Sequence, residues 1–160
     1  MNIAEQILQL LKVAGKTVAA AESITAGHVQ RMLASASGSS AVFKGGITAY
    51  QRSVKVELLG VDDTLAQQTD CVDEEIARQM ALGALRLFNA DYALATCGYA
   101  ETENGAPFAY YAVAQTPDRI LTSARIELSG NRIEAQKDTA RAALSALFDH
   151  LILDGKNHTD

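Results

Sequence analysis

The chain has 160 residues, 48% of them apolar, and a formal net charge of −5, which suits a single compact domain with a sizeable core. Its basic residues are scattered, so no face is marked to neutralise a phosphate backbone and nucleic acid is not an expected partner. Met1 to Leu11 lacks a basic leader, and no segment has membrane-spanning apolar length. A cytoplasmic protein without membrane contact is therefore expected. Two cysteines, Cys71 and Cys97, have neither Cys-x-x-Cys nor Cys/His ligand spacing, so buried free thiols are expected rather than a disulfide scaffold or zinc site.

Taken in order, Ile3, Ile7, Leu8, Leu10 and Leu11 recur at helical spacing and Gly15 offers a left-handed cap. Thr17 to Ala21 reads as a short strand buried on both faces. A helix is expected from about Ala26 to Ala36, broken by Gly38-Ser39-Ser40, a loop or ligand-binding turn. Gly45 to Tyr50 reads as a second strand, followed by a helical stretch from Ser53 to Leu59 that ends at Gly60. Asp62 and Asp73 are N-cap candidates, the latter opening a helix from Glu74 to Phe88 with Ile76, Met80, Ala84 and Leu87 on one stripe. Tyr92 to Cys97 is a third strand, ended by Gly98.

From Glu101 to Pro107 the composition is that of an exposed loop. Phe108 to Gln115 and Ile120 to Leu128 then form a hairpin across Thr116-Pro117-Asp118-Arg119. Gly130-Asn131-Arg132 turns into a last helix, after which residues 154–160 form a polar, frayed tail following a domain of residues 1–153. Alternating helices and strands, interrupted by one antiparallel hairpin, indicate an α/β fold: a three-layer α/β/α sandwich with a mixed, mostly parallel sheet. Ligands of such sheets bind beyond the carboxyl ends of the strands. Ser23, Tyr50, Cys97 and Gly98 all fall at or just after those ends.

Chemistry is expected first at Ala20 to Gly27, where a strand meets the hydroxyls of Ser23 and Thr25 and then enters a helix. A helix start leaves backbone N–H groups without intrahelical partners and presents an anion or oxyanion site. Taken singly, these residues read two ways. Ser23 is a helix cap or a nucleophile. Lys55 is a snorkelling side chain or a buried base. Glu22 orients a catalytic group or satisfies backbone donors, the structural role being favoured. Arg132 is a ligand clamp or a surface charge. Cys97 served by His28 is an alternative nucleophile, while His150 and His158 are expected to face solvent.

Glu22-Ser23-x-Thr25-x-Gly27, Gly38-Ser39-Ser40-Ala41-x-Phe43-x-Gly45-Gly46, Thr48-Ala49-Tyr50, Lys55 and Leu59-Gly60-Val61 together resemble the CinA C-terminal domain family, which includes the nicotinamide mononucleotide deamidases. The likeness runs over nearly the whole chain. It implies a five-stranded mixed sheet in three layers and hydrolysis of a nucleotide carboxamide to carboxylate and ammonia, with no metal and no cofactor. It also implies that the N-terminal domain of full-length members is absent, and it suggests a homodimer with a small-molecule nucleotide substrate.

Carried over by position, the resemblance makes Ser23 the nucleophile and Lys55 its base, with Tyr50 relaying or orienting a proton. A lysine whose pKa is lowered by burial can activate a serine in this way. Thr25, Gly27, Ser39, Ser40, Cys97, Gly98 and Arg132 are assigned to substrate, with Ser39 and Ser40 as phosphate contacts and Arg132 on the phosphate or the carboxamide end. Several positions depart from the pattern. Cys and the first Gly of the first motif are Ile24 and Ala26, and Tyr-Ser-Asn becomes Tyr50-Gln51-Arg52. The Gly-Ile-Ala-Gly-Pro loop becomes Gly98-Tyr99-Ala100-Glu101-Thr102, and a second downstream arginine is Gln136. A catalytically impaired relative that binds a nucleotide or a protein partner, or an amidase for another carboxamide, also fits these changes.

Overall fold

The computed structural model describes residues 1–103 and 105–157. The elements follow one another as α1 (Ile3–Ala14), β1 (Val18–Glu22), α2 (His28–Ser35), a 3-10 turn (Ser39–Ala41), β2 (Phe43–Thr48), α3 (Arg52–Leu59), α4 (Asp63–Thr69), α5 (Glu74–Phe88), β3 (Tyr92–Tyr99), β4 (Phe108–Gln115), β5 (Arg119–Glu127) and α6 (Arg132–Asn157). The five strands lie in the order β2-β1-β3-β4-β5. β1 runs parallel to β2 and β3, and the hairpin adds β4 and β5 antiparallel. The expected three-layer α/β/α fold with a mixed sheet is thus the observed one.

Local chemistry explains most boundaries. Asn2 and Glu5 form a reciprocal capping box at the start of α1, and Gly15 closes the helix in the left-handed region at φ 65°. Asp62 and Asp73 cap α4 and α5 as expected, accepting from Leu65 N and Glu75 N. The two sheet faces bury different sets. Val18, Ala20, Leu94 and Val113 pack with Ile7, Leu11, Leu33, Leu144 and Leu147 of α1, α2 and α6. On the other face Ala21, Ala93, Ala95, Ala112 and Ala114 meet Ile76, Met80, Ala81 and Ala84 of α5, with Leu59 of α3 and Ala66 of α4. Each fully buried Leu, Ile or Met contributes roughly 1.5–3 kcal/mol. The alanine face lets α5 lie close to the sheet, and α5 also closes on α3. A Cβ at Gly83 would stand 2.1 Å from the Leu59 carbonyl oxygen.

Three expectations shift. Gly98 does not end β3; it pairs with Ala109 inside the strand, and a Cβ there would stand 2.6 Å from the Phe108 carbonyl oxygen. Glycine serves strand proximity here, not a turn. The second strand begins and ends two residues earlier than its apolar pattern suggests. Finally, α6 continues through the polar residues to Asn157; His158 lies outside the described residues. No helix among those described is long and apolar enough to cross a membrane.

The junction between β1 and α2 is held by one buried carboxylate. Glu22 is fully buried and accepts from Thr25 Oγ1 at 2.6 Å, Val29 N at 2.8 Å and Gln30 N at 3.0 Å. The last two are N–H groups of the first turn of α2, whose N-cap, Gly27, has no side chain to offer. Charged acceptors at such donors are the stronger class of hydrogen bond. Glu22→Gln turns one acceptor oxygen into an amide and removes the charge, at a cost of about 1.5–3 kcal/mol. Thermal unfolding should then show a Tm lowered by roughly 3–12 °C; an unchanged Tm would remove Glu22 from this role.

Candidate functional site

The carboxyl ends of β1, β2 and β3 open onto a cleft of about 270 Å3 lined by Ser23, Ile24, Tyr50, Lys55, Cys71, Gly98, Tyr99, Glu101 and Arg132, among others. Segments far apart in sequence meet here because parallel strands deliver their carboxyl ends to one edge. Of the residues singled out by sequence, Ser23, Tyr50, Lys55, Gly98 and Arg132 come together. Ser23 follows β1 and is half-buried. Its N–H reaches Thr96 Oγ1 at 3.4 Å, and Thr96 Oγ1 also meets Thr25 Oγ1 at 2.8 Å.

Thr25 is fully buried and therefore belongs to the support beneath the cleft, not to its lining. Gly27 is the N-cap of α2 at φ 98°. Beside it Ala26 also takes a positive φ, 48°, a conformation that costs a residue with a Cβ roughly 1–2 kcal/mol. The first turn of α2 is not the anion site that the junction suggested, because Glu22 already holds the N–H groups of Val29 and Gln30. His28 N and Ala26 N are taken by the carbonyls of Thr25 and Ser23. The N–H of Ile24, directly after Ser23 and in the cleft wall, has no acceptor among the described residues.

Ser39 and Ser40 lie elsewhere. Their 3-10 turn precedes β2, and β2 pairs with β1 from Val18↔Phe43 at one end to Glu22↔Thr48 at the other. The two serines therefore sit at the opposite edge of the sheet from Ser23, outside the cleft of this chain. Cys97 is also outside it. Only 1% exposed, its Sγ donates to the Asp73 carbonyl at 3.4 Å, and burial pushes its thiol up to about 12. A thiol held neutral in this way is a poor nucleophile, and no hydrogen bond joins it to His28 among the described residues.

Lys55 is the unusual group. It lies one turn into α3 and is 1% exposed, among the largest fully buried side chains. Its Nζ donates to the Tyr50 carbonyl at 2.8 Å. Burial lowers its pKa below the ordinary lysine range, while Cys71, Cys97 and Asp70 pull it partly back. Among the described residues no hydrogen bond joins Lys55 to Ser23, although both line the cleft. Tyr50 is exposed; its carbonyl serves Lys55, and its hydroxyl lies near Arg132, where Glu101 is the stronger influence on the guanidinium. Arg132 Nη2 donates to Glu101 Oε2 at 3.1 Å.

Sequence reasoning passed over Asp70, Cys71, Tyr99 and Glu101 as site residues. Asp70 and Cys71 both adopt left-handed backbone, φ 53° and 59°, turning the chain after α4 so that Cys71 enters the cleft. Asp70 Oδ2 accepts from Tyr99 OH at 3.0 Å. Two successive non-glycine residues in that region have no marker in a sequence. Thr96 was equally invisible as the support for Ser23, since a hydroxyl inside an apolar strand carries no sign of its partner.

The model of the CinA C-terminal domain matches residues 1–151. A CinA-like protein of Mycolicibacterium vanbaalenii is 38% identical over 148 residues, which are 89% of this chain and 34% of that protein, so the chain spans about a third of this relative's length. The nicotinamide-nucleotide amidohydrolase PncC of Escherichia coli K12 is 32% identical over 157 residues, 95% of this chain and 94% of the relative. Among solved structures, the competence/damage inducible protein CihA of Agrobacterium tumefaciens superposes with a TM-score of 0.83 at 30% identity, covering 92% of each chain. A CinA superfamily protein of Klebsiella pneumoniae reaches 0.87 at 24% identity over 94% of this chain and 96% of its own, a likeness of fold. With the family model running from Met1 deep into α6, a 32% identical relative covered almost throughout and the fold shared with CihA, the chain belongs to the CinA C-terminal domain family.

Proposed function

We propose that the chain is an amidohydrolase of the nicotinamide-nucleotide type, working through Ser23 and Lys55. The observation that carries this reading is a fully buried lysine, its pKa lowered by desolvation, in the wall of the cleft that also holds a serine hydroxyl at a strand end. A neutral amine is a competent base, and a protein does not bury one without cost. The name and the near-complete mutual coverage of the PncC relative support the substrate class.

In this mechanism Ser23 Oγ attacks the carboxamide carbon while its proton passes to Lys55 Nζ. The tetrahedral oxyanion takes the N–H of Ile24. Collapse breaks the C–N bond, Lys55 returns the proton to the departing nitrogen, and ammonia leaves an ester on Ser23. Water, deprotonated by Lys55, then cleaves the ester to the carboxylic acid and restores the serine. The Tyr50 carbonyl is a positioning group that holds Lys55 Nζ at the cleft wall before the substrate enters. Hydrogen bonds between nucleophile and base commonly tighten only once substrate is bound.

Incubation with nicotinamide mononucleotide should release ammonia. Ser23→Ala and Lys55→Ala should each lower the rate by about 10^3-fold or more, with the fold intact by circular dichroism. Absence of release from the unmodified protein at high concentration would overturn the reading. The pH profile supplies a second check. Activity requires neutral Lys55, so kcat/KM rises with pH through the lowered lysine pKa. Asp70 raises that pKa, so Asp70→Asn should move the acid limb to lower pH. Asn tolerates the left-handed backbone at this position. A limb that stays in place or moves upward would show that Lys55 is not the titrating base.

A further inference from the structure

The cations that line the cleft are each engaged. Arg132 pairs with Glu101 at 3.1 Å, Arg52 Nε pairs with Asp63 Oδ1 at 3.1 Å, and Lys55 donates to a carbonyl. The first turn of α6, which carries Arg132, is closed by its own box: Glu134 N donates to Asn131 Oδ1 at 3.0 Å and Asn131 N to Glu134 Oε2 at 3.3 Å. The first turn of α2 is closed by Glu22. An anionic group entering at the mouth of this cleft therefore meets cationic side chains and helix starts that already have acceptors, while the Ile24 N–H stays available beside Ser23.

Glu101 is held in its place. Ala100, immediately before it, is buried in a small cluster with Ile24, Ala109, Leu128 and Ala135. Ile24 adjoins Ser23, and Ala135 lies in the first turn of α6 with Arg132. One residue earlier, Tyr99 is fixed by its hydroxyl to Asp70 and by its ring against Phe108, 5.5 Å between centroids. These anchors present the Glu101 carboxylate across the cleft mouth to the guanidinium.

Taking the cleft as the amidohydrolase site, we propose that Glu101 is a specificity-determining residue that competes with an anionic substituent of the substrate for Arg132. The cleft thereby gains less from the phosphate of a nicotinamide nucleotide, relative to the same nucleoside without it, than an unpaired Arg132 would give. The two side chains are 45% and 63% exposed, so water screens the pair and the competition is several-fold, not absolute.

The test compares ammonia release from nicotinamide mononucleotide and nicotinamide riboside by the unmodified protein, Glu101→Gln, Arg132→Gln and the double variant. Glu101→Gln should lower the KM of the mononucleotide relative to that of the riboside by about 2–5-fold at low salt, less at high salt, and the change should vanish in the Arg132→Gln background. An unaltered ratio, or a change that persists without Arg132, would overturn the proposal. Absence of turnover with both substrates would instead sink the amidohydrolase reading. The ratio of Kd values for the two compounds, measured by calorimetry on the same four proteins, then decides the role of Glu101 by the same criteria.

Discussion

The buried carboxylate of Glu22 is the contact from which the rest of the site is arranged. Its two oxygens close the first turn of α2 and hold Thr25, and Thr25 in turn meets Thr96 on the neighbouring strand. β1 and β3 are therefore tied together just where Ser23 leaves the sheet. A helix start left bare would be satisfied by water or by a passing anion. Here it is satisfied from within, and the first turn of α2 becomes a mount for Ser23 rather than an anion site itself. Ala26, in left-handed backbone beside Gly27, is held in that conformation by the same closed loop.

Lys55 poses the opposite electrostatic case. Glu22 is buried with its acceptors filled, whereas Lys55 is buried beside one carbonyl and two thiols, with no carboxylate of the described residues in hydrogen-bond contact. Desolvation therefore dominates and favours the neutral amine. The folded-state pKa lies below the unfolded one, so burial costs stability at low pH, and the cost fades as pH rises toward the ordinary lysine range. A group that weakens the fold at neutral pH and opens onto a cleft suits proton transfer better than architecture. The mouth of the same cleft is balanced by paired charges, and the balance rests on Glu101, a residue of the altered loop after β3.

Much of the molecule was readable before any coordinates. The helical periodicity of α1 and α5, the Asp62 and Asp73 caps and the hairpin all follow from local rules, because periodicity and capping act within a few residues. Gly98 misled, since a glycine inside a strand and one that ends it look alike until the opposing carbonyl is known. Ser39 and Ser40 misled for a topological reason. A parallel sheet separates the loops that precede its strands from those that follow them, and the turn before β2 lies on the far edge from Ser23.

By itself the amino-acid order determined the α/β class and the family and marked Ser23 and Lys55 as candidates by position, because short-range pattern and motif spacing are properties of the chain. Only the tertiary structure decided which donors stay available. Glu22 consumes the helix start, burial lowers the pKa of Lys55, and the backbone turn at Asp70 and Cys71 brings a thiol into the cleft. The loop after β3 brings Glu101 to Arg132, 31 residues away in sequence. The desolvation of Lys55 and the Glu101–Arg132 pair depend on contact between distant segments, which no local stretch of residues encodes, whereas the favoured structural role of Glu22 acts over only seven and eight positions.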